Sequence, residues 1–135
     1  MTHAPVSCCV AAIIVVAIAL PATARAPLRD VAEIDNTLMV IGIADEIRRR
    51  CDGIDARLLR AVRTLSALRS RARDLGYTAE EIEAYVSSDG EKARMRAKAE
   101  AWLAAQGVDA DDTAQLCAFG AVQIDSEGVI GRLLR

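Results

Sequence analysis

After residue 24 the apolar residues recur three and four positions apart, and no stretch of useful length shows the two-residue alternation of a strand. That spacing puts apolar side chains on one face of a helix, so the chain must build its core by packing helices together. The expected fold class is all-α: a small bundle of four to six helices closed by one disulfide and preceded by a signal peptide. Asp35 or Asn36 is expected to cap a first helix running to about Cys51, with Leu38, Ile41, Ala44 (with Asp45) and Ile47 facing inward. Gly53 breaks it. Asp55 then caps a second helix, about Ala56 to Leu75, whose stripe is Leu58, Val62, Leu65, Leu68, Ala72 and Leu75. Gly76 follows as its C-terminal cap. Thr78 with Glu81 forms a capping box and opens a short third helix through Tyr85 and Val86. Ser88 and Glu91 repeat the signature and open a fourth helix to about Gln106, ended by Gly107. Asp109 to Asp112 begins a fifth, carrying Leu116, Cys117, Ala121, Val122 and Ile124. Ser126 starts a last short turn through Leu134.

The opening segment is of another kind. Val6–Leu20 carries no charge and is shorter than the roughly 20 residues a membrane-spanning helix needs. Pro21 stops the run, and Ala22-Thr23-Ala24 follows as a small-residue cleavage pattern. Residues 1–24 therefore read as a signal peptide and 25–135 as one helical domain, exported and periplasmic, beginning at Arg25. Cleavage at the second A-x-A, Ala24-Arg25-Ala26, would set Pro27 beside the scissile bond. Only His3 and the terminal amine precede the apolar core, where Lys or Arg is usual, so retention as an anchor is the alternative. All 17 Lys+Arg and 19 Asp+Glu follow residue 24, leaving the domain at −2.

Two of the four cysteines lie in that domain, Cys51 and Cys117. An even count in an exported chain reads as a disulfide, here tying the end of the first helix to the fifth. The alternative is a pair of buried thiols, as a cytosolic protein would carry. A metal pair lacks partners, because residues 25–135 contain no His and no third Cys.

The segments PLRDVAEIDN (27–36), ADEIRRRCDGI (44–54), RARDLGY (71–77), AYVSSDGEKARMRA (84–97), CAFG (117–120) and IGRLLR (130–135) resemble a family of small exported alphaproteobacterial proteins of unknown function. The resemblance covers nearly all of residues 25–135 and implies export and a short helical domain. It implies no activity and no functional residues.

The strongest functional statement is an exclusion. The single histidine is His3. The domain thus has no Ser-His-Asp or Cys-His pair, no histidine metal site and no haem attachment, and it has no glycine-rich phosphate loop. No cofactor is expected. Carboxylates alone run glycoside hydrolysis, but Glu80, Glu81 and Glu83, like Asp109, Asp111 and Asp112, sit where helices begin and oppose the helix dipole there. The remaining asymmetry is arginine. Nine Arg and two acids lie between Arg48 and Arg73 in a chain whose total is −2. Arg48, Arg49 and Arg50 end the first helix, and Arg57, Arg60 and Arg63 recur on the second. Together they are the candidate face for an anionic partner, either an acidic protein surface or an anionic envelope component. The bland alternative is a solvated face neutralised by neighbouring acids. Nucleic acid is not expected, since aromatics are few and none interleave with the basic residues. Met95, Trp102, Tyr77, Tyr85 and Phe119 read as core. The expected function is non-catalytic binding to another protein or envelope component; the alternative is a carboxylate-only envelope glycan hydrolase.

Overall fold

A computed structural model describes residues 25–135; the expected signal peptide lies outside the described residues. Pro27 leads into a 3-10 turn, Leu28–Asp30, and five helices follow. They are α1 (Ala32–Arg50), α2 (Leu58–Asp74), α3 (Ala79–Ser87), α4 (Asp89–Ala105) and α5 (Thr113–Asp125). A second 3-10 turn spans Gly131–Leu133. The described residues contain no strand, only one antiparallel bridge between Ala56 and Leu134. The all-helical expectation holds.

Local chemistry explains most boundaries. Thr78 and Glu81 exchange the two hydrogen bonds of a capping box at the start of α3. Ser88 Oγ accepts from the Glu91 amide to start α4, and Asp112 accepts from the Gln115 amide to start α5. Gly76 takes φ 90° after α2, a conformation a side chain disfavours.

Two boundaries depart from expectation. α1 begins at Ala32, ahead of both expected caps, because the 3-10 turn delivers Val31 with its carbonyl already accepting from the Ile34 and Asp35 amides at 2.9 Å. Asp35 is a buried residue inside the helix. α2 begins at Leu58 because the preceding backbone is engaged elsewhere. Asp55 and Arg135 exchange two hydrogen bonds of 2.8 Å, and the Arg57 amide donates to the Leu133 carbonyl at 2.8 Å.

The core has two centres along α1. Around its second half, Ile43, Ile47, Leu116, Ile130 and Leu134 are fully buried. Met95 and Trp102 of α4 and Phe119 of α5 pack against that cluster, the two rings meeting edge-on at 6.1 Å. Around its first half lie Leu28, Ile34, Ala72, Tyr77 and Ile82, with Tyr85 packed against them. The Cys51–Cys117 disulfide forms as expected, with Cα atoms 5.5 Å apart. Beside it α1 and α5 approach so closely that a Cβ on Gly120 would lie 2.8 Å from Ile47 Cγ2.

Candidate functional site

The six arginines of the candidate face divide into two groups with different partners. At the end of α1, Arg48 Nη2 pairs with Asp45 at 2.6 Å. Arg49 pairs with Asp45 at 3.1 Å and with Glu46 at 2.6 Å. Arg50 donates to the carbonyls of Ala110 (2.6 Å) and Asp111 (2.8 Å) and to Thr113 Oγ1 (2.6 Å), holding the α4–α5 loop against α1. Arg48 and Arg49 are thus neutralised by acids one turn back, and Arg50 clamps a loop.

The second group keeps its charge. Arg57 Nε donates to the Leu134 carbonyl at 2.7 Å, and Arg60 Nη1 to the Arg132 carbonyl at 3.1 Å. These acceptors are neutral, so the bonds fix the side chains without cancelling charge. Arg63, Arg69 and Arg73 make no side-chain hydrogen bond or ion pair among the described residues. Arg71 pairs with Glu33 at 2.9 Å, and that hydrogen bond and charge raise its pKa. Within α2 the only acid is Asp74, its last residue.

Of the inward stripe expected on α2, the first half (Leu58, Val62 and Leu65) turns to solvent instead. Leu58 is 67% exposed, Leu59 76%, Val62 62% and Leu65 39%. The residues that turn inward are Ala61, Thr64, Leu68, Ala72 and Leu75. Only Leu68 and Leu75 among these are large, and both lie in the second half. They join the cluster around the start of α1, while the first half of the helix rests on small side chains. Leu58, Val62, Leu65 and Arg69 follow one another at helical spacing along the solvent side, with Arg73 one turn further and Arg63 one turn beyond Leu59. The result is two turns of projecting aliphatic side chains continued by cations.

A separate groove of about 650 Å³ runs between α1 and α4. Leu38, Ile41, Met95 and Ala99 line it, and Glu46, Glu91 and Glu100 stand at its sides. Glu46 pairs with Arg49, and Glu91 with Arg94 at 2.7 Å and with Arg29. Beside Glu91 lies an ionic cluster that sequence reasoning missed. Asp35 is 4% exposed and accepts from Tyr85 Oη (2.9 Å), Lys98 Nζ (2.5 Å) and Arg94. Burial pushes its carboxyl up, but the hydrogen bonds from Arg94, Lys98 and Tyr85 and the Arg94 charge outweigh it, bringing the pKa down to about 2. Burial and the Asp35 hydrogen bond push the Tyr85 hydroxyl up to about 12. Asp35 is therefore a fixed carboxylate, the reverse of the raised carboxyl a general acid needs. Its signal was present in the sequence: Asp35 falls three residues before Leu38 on the inward line, and Arg94 and Lys98 are spaced one turn apart.

The family model for DUF5333, a family of unknown function, matches residues 26–135. The chain belongs to this family. No curated protein and no solved structure matches it. The DUF5333 match takes in all five helices, the disulfide, the α2 face and the Asp35 cluster. Membership in DUF5333 brings no activity with it.

Proposed function

We propose that this DUF5333 protein is an exported, non-catalytic binding protein of the cell envelope, and that the first half of α2 is its binding face. The observation that carries the reading is the exposure of Leu58, Leu59 and Val62 on a helix rich in arginines without acid partners. Large aliphatic side chains clustered in water mark a surface that another body covers. The disulfide suits an oxidising compartment. No helix among the described residues is long and apolar enough to cross a membrane. Export is tested by N-terminal sequencing of the protein from the envelope fraction. A start at Arg25 supports it, and Met1 on a membrane-held protein overturns it. Binding is tested by installing a photocrosslinker at Leu59 in the exported protein. Crosslinks to one envelope component, lost in the Leu58→Ser/Val62→Ser background, support the face.

The α1–α4 groove favours a second reading, a carboxylate-only glycan hydrolase, because Glu46, Glu91 and Glu100 stand along it. Release of sugar from cell-wall material by the purified protein, abolished by Glu100→Gln, would establish that reading in place of the first.

A further inference from the structure

We infer that the α2 face docks on the surface of an anionic phospholipid bilayer; this rests on the binding face proposed above and names its occupant. Three features of the face carry the inference.

The first is charge. Among the described residues Arg63, Arg69 and Arg73 have no acid partner, and Arg57 and Arg60 are held only by neutral carbonyls. The first turn of α2 contains no acid and its N-cap, Arg57, gives no side-chain cap, so the positive end of the helix dipole adds to the field. The complementary surface is negative. Arginine suits phosphate because its planar guanidinium donates two parallel hydrogen bonds. Each basic residue near an anionic leaflet strengthens binding about fivefold.

The second is layering. The projecting leucines occupy the first two turns, a length of about 12 Å at the helical rise, while Arg69 and Arg73 continue along the same side. A bilayer surface has the same order of environments: an acyl region at shallow depth and phosphates above it. With the start of α2 tipped down, Leu58, Leu59 and Val62 enter the acyl boundary and the arginines remain among the headgroups.

The third is shape and extent. Leu58 and Leu59 stand more than two-thirds exposed on a single helix, so they have no second wall such as a groove offers a docking peptide helix. A fluid apolar medium needs no such wall. A second copy of the chain is a poor occupant. Apposed α2 helices would bring arginines against arginines with no acid before Asp74. Four side chains also fall well short of the roughly 800 Å² per partner of a stable interface.

The experiment is co-sedimentation of the oxidised, exported protein with vesicles. One set is phosphatidylcholine alone, and the other is phosphatidylcholine with phosphatidylglycerol in equal parts. The protein is expected to pellet with the anionic vesicles and to bind the neutral ones at least about tenfold more weakly. Leu58→Ser/Leu59→Ser should weaken anionic binding by about tenfold or more, with an unchanged helical circular dichroism spectrum, since these side chains pack little within the fold. Arg63→Gln/Arg69→Gln/Arg73→Gln should weaken it by about a hundredfold and flatten its salt dependence. Leu59→Trp should shift its indole emission to the blue on anionic vesicles alone. Failure of the wild-type protein to pellet overturns the inference, as does pelleting that neither variant reduces. If vesicles are ignored while the Leu59 photocrosslinker still captures an envelope protein, the lipid inference falls and the binding face stands. If the crosslinker captures nothing either, both fall.

Discussion

The Arg57 guanidinium donates through Nε to the Leu134 carbonyl oxygen, 2.7 Å away and 77 residues along the chain. With the backbone pairing of Asp55 and Arg135, this bond fixes the start of α2 to the segment after α5. It separates arginines that hold the fold from arginines that face solvent. Arg57→Gln should lower the unfolding free energy by about 1 kcal/mol, the net value of one such hydrogen bond. Arg63→Gln should change it by less than about 0.5 kcal/mol. Urea titrations of the two variants check the contrast.

Leu134 is fully buried with Ile43, Ile47 and Leu116 around it in the same cluster. Leu134→Ala leaves a cavity there and should cost about 2–5 kcal/mol. Leu59→Ala, on an exposed side chain, should be near neutral in the same thermal or urea melt.

The Asp35 cluster sets a pH dependence. The folded carboxyl titrates near 2 against an ordinary value of 3.8. Its contribution is therefore complete above pH 3.8 and is lost as the pH falls through 2. The linked change is about 2 kcal/mol over that window. Asp35→Asn should remove this part of the acid limb of the stability curve and lower stability at neutral pH by about 2 kcal/mol, because Arg94 and Lys98 lose their shared partner. Denaturant melts of both proteins from pH 6 down to the acid limit test the prediction.

Much of this architecture was legible in the sequence, for reasons that remain local. Thr78 and Glu81 are close enough in the chain to form their box whatever packs around them. Gly76 marks its turn because few other residues adopt its backbone conformation. The pairing of Cys51 with Cys117 follows once residues 25–135 have only these two cysteines to join. The misreadings of Asp35 and of α2 are non-local. Asp35 resembles a helix cap until Arg94 and Lys98 arrive from α4. The start of α2 is set by residues 133–135, which no periodicity in residues 55–75 reveals. The first half of α2 carries two lines, the large Leu58, Val62 and Leu65 and the small Ala61 and Thr64. Hydrophobicity favours Leu58, Val62 and Leu65, but the fold turns Ala61 and Thr64 inward there, while Leu68, Ala72 and Leu75 of the expected stripe do face the core. That is how an apparent core stripe became the candidate face. The arginine cluster was visible as an excess of charge, but its division depended on which acids and carbonyls lay within reach.

Gly120 permits the close approach of α1 and α5. Gly120→Ala would place a Cβ 2.8 Å from Ile47 Cγ2 and 3.2 Å from Ile54 Cδ1. Ile47 is fully buried and β-branched, so it cannot swing aside. The expected cost is about 1–3 kcal/mol. Ile47→Val in the same background should recover little, because valine keeps the Cγ2 methyl; Ile47→Ala should relieve the clash. A double-mutant cycle by urea melt measures the difference.

Reducing the Cys51–Cys117 bridge should lower stability by about 4 kcal/mol, the loop-entropy value for a separation of 66 residues. Melts with and without reductant, with free thiols counted by mass, supply the check.

The bridge has another consequence, for survival among proteases. It encloses α2, α3 and α4 in one covalent ring, residues 51–117. A single cut anywhere within that ring opens it without releasing a fragment. The severed ends stay tethered at high effective concentration. Such a nicked molecule runs as one species on a non-reducing gel and as two after reduction. An endopeptidase must therefore strike the ring twice before any piece of it can diffuse away.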